Sequence, residues 1–473
     1  MIDKPSPSPS PSAQREREQF QLMIAAVALV VISVLFGGAS RQNPIRLGVV
    51  ELSSLPLLVM ALRQLSASSD WRAFGRPIAI LAAIYGVVIV QLIPLPPAIW
   101  TQIPGHAAEA RALQLAGLPL GWRPISLAPQ EGMLSVLALV PPTAMFFGAL
   151  RLNSQNLRLI IQLWLLLAAL SIAIGVFQLI WSDEGSWIYP YSVTHYGSLV
   201  GFFANRNHEA ALLVVLLPFA AVLIAGGPSG RRRFGYLQLL AAAFMALVCI
   251  GLTGVHSRMG ITLAGPAILA CGMIIWLSPS RQSRLRSAIA IASATLAIVF
   301  ISGAVIFGPL LARFESLPDE RRFVAWPNVE HAADIYLPLG SGIGSFDPVF
   351  RSVEPLSMVE STYFNHAHHE YLEVWLESGW LGIAVLIAFI LWFAPLTFRA
   401  WIGRDQARIG WNRDLARAGS AGVLLLMAYS FVDYPLRTTT ISVLFAFACA
   451  ALALFDRARR QGVSKPAAGP QNG

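Results

Sequence analysis

Apolar runs of about 20 residues recur along this chain, and few folds can accept them. A helix rises 1.5 Å per residue, so a run of about that length matches the hydrocarbon core of a bilayer. Twelve such runs lie near residues 20–38, 46–63, 76–95, 132–150, 159–181, 208–226, 235–254, 260–277, 287–308, 380–398, 416–432 and 438–455. In lipid every backbone polar group must find its partner within the protein, which leaves helices or a closed barrel. Barrel strands would alternate polar and apolar residues in segments of about ten, and these runs do not alternate. The expected fold class is therefore all-α: a multi-pass transmembrane helix bundle of about 12 spans, with a large outer loop before span 10.

Charge agrees with that reading. Only 12% of the residues are charged, about half the share of a soluble globular chain. The formal net charge of +9 could suggest a nucleic-acid binder, but its distribution points elsewhere. With the N-terminus cytoplasmic, Arg231–Arg233, Arg281–Arg286, Arg399–Arg417 and the basic residues at both chain ends all fall inside. This is the positive-inside pattern of membrane proteins. It implies membrane lipids and no nucleic acid as partners. Arg41 and Arg46 run against it. Cys249, Cys271 and Cys449 lie inside apolar runs and read as core residues, not as a disulfide or metal framework. The first run is too long for a cleaved signal peptide and lacks a small-residue cleavage site, so it is expected to stay as span 1.

Residues 1–19 are rich in Pro and Ser and are expected to form a disordered cytoplasmic tail. Residues 20–455 read as one polytopic membrane domain, and 456–473 as a second cytoplasmic tail. No convincing internal repeat appears, which argues against a repeat-built transporter. Three outer segments exceed what a connector needs: 96–131, with a short helix expected at Ala107–Leu115; 182–207; and 309–379, the candidate catalytic loop. In that last loop, helices are expected over Glu320–Tyr336 and Tyr363–Glu377.

Four groups of residues could carry chemistry. The first is His366-Ala-His368-His369-Glu370-Tyr371-Leu372-Glu373. On a helix, His366, His369, Glu370 and Glu373 would share one face. They could bind a metal through His366, His369 and a carboxylate. A single histidine could instead act as a general base, because its pKa lies near working pH. A solvated helix start is the plain alternative. The second group, Gly340-Ser-Gly342-Ile-Gly344-Ser-Phe346, lacks the lysine of a nucleotide loop. Its glycines suit close approach of backbone to another segment or to a ligand.

The third group is a set of outer arginines, Arg206, Arg258, Arg322 and Arg437. A guanidinium fork matches phosphate, although any one arginine could snorkel to headgroups or pair locally, for example Arg437 with Asp433. Converging at outer span mouths, they point to an anionic amphiphile. The fourth is Asn205-Arg206-Asn207-His208, whose asparagines could equally cap a helix or bind sugar or phosphate.

In order and spacing these segments resemble the bacterial O-antigen ligase and polymerase family. The similarity runs over about residues 120–437. It rests on Pro338–Phe346, Ala367–Glu373 and Glu377–Gly382, with Gly201–His208, Ser257–Gly260 and Arg322-x-x-x-Trp326 upstream, and with weaker matches at Trp122–Pro129 and Asp433–Leu436. The resemblance implies a membrane glycosyltransferase at the periplasmic face of the bacterial inner membrane, with both termini cytoplasmic. Its donor would be a glycan on undecaprenyl diphosphate. Its acceptor would be a lipid A–core sugar in lipopolysaccharide biosynthesis, another glycan chain, or a protein. No metal or cofactor is implied.

Residue by residue, His368 matches the family's loop histidine and would be the base. His369 is in reserve, because the family often has His-Asn where this chain has His368-His369. Arg258 and Arg322 match the family's arginines and would hold the donor diphosphate, joined by Arg206 and Arg437. Asn205, Asn207, Glu370 and Tyr371 would contact substrate. The competing classes are a flippase for lipid-linked glycan, a protein O-oligosaccharyltransferase, and a scaffold among polysaccharide-assembly proteins. Functional groups gathered at the outer face, with few charges inside the spans, favour an enzyme over a transporter.

Overall fold

The computed structural model describes residues 10–40, 43–181, 183, 186–226, 236–278, 321–359, 364–403 and 410–463. The expected span 287–308, Arg231–Arg233 and Arg281–Arg286 lie outside the described residues. Those described form an all-helical protein: α1 (Pro11–Phe36), α2 (Pro44–Ser66), α3 (Gly75–Leu92), α4 (Ala107–Leu115), α5 (Pro129–Ala138), α6 (Val140–Arg151), α7 (Ser154–Ile180), α8 (Arg206–Ala225), α9 (Tyr236–Val255), α10 (Arg258–Leu277), α11 (Arg321–Tyr336), α12 (Phe346–Val353), α13 (Glu370–Ile402), α14 (Gly410–Tyr429) and α15 (Thr439–Val463). Among them, ten stretches are long and apolar enough to cross a membrane: α1, α2, α3 with the turn before it, α5 and α6 together, α7, α8, α9, α10, α13 and α15. The run expected at 416–432 is also helical, as part of α14. Its first turns carry Arg413, Asp414 and Arg417, and it is not among the ten.

Two segments expected to be tails are partly helical. α1 starts at Pro11, where the Ala13 N–H donates to the side chain of the N-cap residue Ser10. α15 runs on to Val463, with Asp456 paired to Arg459 and Arg460 one turn away, the spacing at which helix side chains meet.

The bundle is organised around α8. This helix is apolar on every side, and its residues from His208 to Ala225 are all buried, as befits a helix enclosed by others. It packs against α7, α9, α10 and α14. Small residues bring the axes close. A Cβ at Gly260 would meet Ala210 at 2.6 Å, and one at Gly419 would meet the Ala448 carbonyl oxygen at 2.6 Å, the packing device common between membrane helices. α15 lies antiparallel to α1: the Thr440 N–H donates to Gly37 O, and the Thr440 hydroxyl to Ser33 O. The described chain ends therefore share one end of the bundle. The N-termini of α8, α10, α13 and α15 gather at the other.

At that second end, α11 and α12 pack on the start of α13 through Ala325, Val329, Ala332, Phe346, Phe350 and Leu376. The glycine loop between α11 and α12 is tied down from two sides. Gln91, buried at the end of α3, donates to Leu339 O and Glu377 O and accepts from the Ile343 N–H. The Glu377 carboxylate accepts from the Gly344 and Phe346 N–H groups at 2.9 and 3.2 Å. Gly379 has φ +52° and breaks α13 there; a Cβ on it would collide with the Pro338 carbonyl. The glycines thus serve close backbone approach, as their spacing suggested.

Candidate active site

The helix expected from Tyr363 begins at Glu370. Its N-cap is His369, in extended conformation, whose Nδ1 accepts the Leu372 N–H at 3.1 Å. His369 is half-buried, with its ring edge-on to Trp326 at 4.9 Å. Burial holds its pKa below the ordinary value, against the pull of its own backbone and of Glu330. A capping Nδ1 must be unprotonated, so the ring is neutral with its proton on Nε2. His366 and His368 precede the helix and lie in a loop, so the one-face grouping expected for His366, His369, Glu370 and Glu373 does not form. His368 has φ +50°, left-handed backbone that non-glycine residues seldom adopt and that clusters at functional sites.

His368 Nδ1 faces Asp433 Oδ1 at 3.3 Å. The imidazole keeps partial access to solvent, with 24% of its side chain exposed, and the carboxylate has none. Asp433 sits in the turn between α14 and α15. Its Oδ1 accepts the Tyr434 N–H at 2.9 Å, Asn207 Nδ2 donates to its Oδ2, and His208 Nε2 lies 3.8 Å from Oδ1. Burial alone would raise this carboxyl's pKa, but contacts with His208 and His368 hold it well below the usual carboxylate range. Tyr434 packs its ring against three imidazoles, those of His366, His368 and His208, at 4.3, 4.8 and 5.0 Å.

A second network supports the first. His366 Nδ1 lies 2.7 Å from Glu373 Oε1, and the Ala367 N–H donates to Glu373 Oε2. Arg437 Nη2 reaches Glu373 Oε1 at 3.3 Å and Glu377 Oε2 at 3.0 Å. Burial would lower the pKa of Arg437, but Glu373, Glu377 and Glu370 raise it above the ordinary value. The local pairing considered for Arg437 and Asp433 is thus not what forms. The turn Pro435–Arg437 separates the two, sending Arg437 to α13 carboxylates and leaving Asp433 to histidines.

The remaining sequence candidates fall into place around this core. Glu370, buried, accepts from the Ser430 hydroxyl at 2.6 Å and the Leu436 N–H at 2.8 Å, so its two oxygens hold the turn that carries Asp433. The Tyr371 hydroxyl donates to Met427 O. Asn205 caps α8, accepting the Asn207 N–H. Arg322 Nη1 donates to Val432 O at 2.8 Å, one residue from Asp433, while Trp326 on the same helix donates to Ala367 O, one residue from His368. Their i, i+4 spacing brings both sides of the site to one face of α11. Ser257, the N-cap of α10, lies 2.7 Å from the Tyr429 hydroxyl, and Tyr429 also feels the charges of Arg322, Arg206 and Asp433. Arg206 and Arg322 therefore lie about one region, and Arg258 follows Ser257 at the start of α10. Among the described residues no group of three His, Cys, Asp or Glu side chains is placed to hold a metal ion.

Residues 240–387 match the family model described as O-antigen ligase. The chain carries an O-antigen ligase domain. The family expected from the motifs is the one found, and its setting among helices fit to cross a bilayer makes this a membrane glycosyltransferase of the O-antigen ligase type. No curated protein matches the chain. The matched O-antigen ligase region holds Arg258, Arg322, the glycine loop and the histidine loop. Asp433, the carboxylate behind His368, lies beyond it, as do Asn207 and His208 on the other side.

Asp433 shows how far sequence reading reached. In the sequence it enters only a weak Asp-Tyr-Pro-Leu match and a possible pairing with Arg437, because its partners come from distant segments. His208 enters the fourth group of the sequence without a role of its own, and Gln91 enters none; for Gln91 the available signal is a polar residue at the end of an apolar run.

Proposed function

We propose that this O-antigen ligase-type enzyme moves a saccharide from undecaprenyl diphosphate to an acceptor hydroxyl at the periplasmic face of the bacterial inner membrane. The observation that carries the reading is the His368–Asp433 pair. A buried carboxylate on Nδ1 orients the imidazole and stabilises the positive charge it gains. Nε2 is left to take the proton. The acceptor oxygen forms its bond to the donor's anomeric carbon as that carbon's bond to the diphosphate oxygen breaks, and the hydroxyl proton passes to His368.

The diphosphate is a good leaving group, so the main work is to neutralise its charge and hold the two substrates in line. Arg258 and Arg322 serve the diphosphate in this reading, with Arg206 about the same region as Arg322. Arg437, occupied by Glu373 and Glu377, serves the scaffold. The basic residues at the end of the bundle opposite the site support cytoplasmic chain ends and a periplasmic site. Glycan, lipid A–core and protein acceptors share the hydroxyl chemistry. Offering each in turn to purified protein with a polyprenyl-diphosphate glycan tests the reading. Transfer to one of them is expected, and no transfer to any would overturn it.

A further inference from the structure

The Asp433 carboxylate serves two imidazoles. His208 Nε2 approaches the same Oδ1 that faces His368, at 3.8 Å against 3.3 Å. His208 is 2% exposed, and among the described residues neither of its ring nitrogens makes a hydrogen bond, nor does His368 Nδ1; all three lie near Asp433 only at ion-pair range or beyond. A buried polar atom without a partner is costly, and in a native structure it calls for an explanation. The ring packs edge-on to Tyr434 at 5.0 Å in the first turn of α8. It is an enclosed imidazole beside an enclosed carboxylate, the arrangement that suits a group whose charge changes.

The surroundings show what each charge state would meet. Asp433 and Tyr434 face His208 from the turn after α14, and His195 from the segment before α8. His366 and His368 stand beyond the Tyr434 ring and the carboxylate. Arg206 and Glu209 flank it in sequence on its own helix. Arg322 on α11 donates to Val432 O, one residue before Asp433, and the Tyr429 hydroxyl on α14 lies beside Ser257, the N-cap of α10. Among the described residues Asp433 is the carboxylate within ion-pair reach of the His208 ring, and it is the one that faces His368.

We propose that His208 is a second proton-holding imidazole of the site, sharing Asp433 with His368, so that a proton on either ring silences the base. This rests on reading His368 as the base. One carboxylate can offset one neighbouring positive charge. With a proton on His208, that charge is already matched, and a second imidazolium at His368 would meet its repulsion. The active form is the one with both rings neutral. Two sites competing for one inactivating proton act as a pair and not ring by ring.

The test is the pH dependence of transfer by the purified full chain, each variant scaled to its own plateau. His208→Gln removes one of the two proton sites, so the acid limb should move to lower pH. The shift should be at least about 0.3 pH units if the two rings are equivalent, and larger if His208 holds most of the proton. A merely structural role would lower the plateau and leave the limb in place. An acid limb that stays, or moves up, would overturn the proposal. A second arm needs neither activity nor a variant: histidine-labelled wild-type protein in detergent, titrated by NMR. A His208 ring that takes up a proton over the same range as His368 is expected, and one that stays neutral throughout while His368 titrates would also overturn it. If wild-type protein transfers nothing, the reading of His368 fails, and the NMR arm still decides whether the two rings share the carboxylate.

Discussion

His368 and Asp433 meet at 3.3 Å, one from the loop that precedes α13 and the other from the turn that follows α14. The backbone of His368 is left-handed, and Asp433 is fully enclosed. Both are therefore held by the rest of the site. Glu370 holds the Ser430–Leu436 turn, Trp326 holds Ala367, and His369 caps the helix that follows. In the proposed function the pair is a preformed base with its orienting carboxylate, and the predictions below test that reading and the structure around it.

Asp433→Asn keeps the size of the side chain and removes its charge. His368 then loses the group that orients Nδ1 and stabilises its imidazolium. Transfer should fall by roughly 10²- to 10⁴-fold, the usual contribution of general acid–base catalysis. Rates measured on protein that elutes like wild type in detergent check this; a loss under about tenfold would count against the pair.

His369→Asn should leave transfer intact, because asparagine is among the best N-cap residues. His369→Ala should cost about 1 kcal/mol of stability from the lost cap, read as a lower melting temperature. The wild-type cap also has a pH signature. Burial depresses the His369 pKa, so the unfolded chain takes up the proton more readily than the folded one. Stability from this residue is full above the ordinary histidine range, and it is lost as the pH falls through that range toward the folded-state value. Melting curves of wild type and His369→Asn should therefore converge on acidification if wild type starts the more stable, and diverge if it starts the less stable. Curves that stay parallel would contradict the assignment.

The four residues Gly340, Gly342, Glu377 and Gly379 lock the glycine loop to α13. Gly379→Ala must place a side chain at φ +52° against the Pro338 carbonyl. The left-handed conformation alone costs about 1–2 kcal/mol, and the collision adds to it. A drop in melting temperature with reduced transfer is expected. Gly48 has open space around it, so Gly48→Ala serves as the control and should be nearly silent.

Glu377→Ala removes one carboxylate from Arg437 and strips the Gly344 and Phe346 N–H groups of their acceptor. Breaking a buried pair from one side costs about 3–5 kcal/mol. The variant should melt far below wild type or fail to accumulate, and Glu377→Gln should recover part of the loss by keeping an acceptor oxygen. Equal behaviour of the two variants would show that the loop does not depend on that oxygen.

Arg322→Lys keeps the charge and loses the planar fork, a change that is not conservative at a phosphate site. The expected outcome is a higher KM for the lipid-linked donor with the KM for acceptor unchanged. A change confined to acceptor kinetics would place Arg322 elsewhere in the reaction.

The spans were readable because lipid imposes one pattern, long apolar runs, and the short helix at Ala107–Leu115 and the one expected over Glu320–Tyr336 were also anticipated, the latter appearing as Arg321–Tyr336 among the described residues. The site was readable as a list of residues and not as a geometry. Helical spacing put His366 and His369 on one face, yet a histidine acting as N-cap and a left-handed His368 delay the helix to Glu370. The resemblance implied asparagine at the position of His369, and both residue types can cap a helix. The partners of Asp433 and Arg437 are set by long-range packing around a tight turn. Spacing along the chain suggested that the two pair with each other, whereas each takes partners from other segments.

The most direct measurement is the rate of glycan transfer from a polyprenyl-diphosphate donor by wild type, His368→Ala and His369→Asn, each confirmed as folded. The account predicts transfer by wild type and His369→Asn and none detectable by His368→Ala. Transfer retained in His368→Ala, or lost in His369→Asn alone, would contradict it.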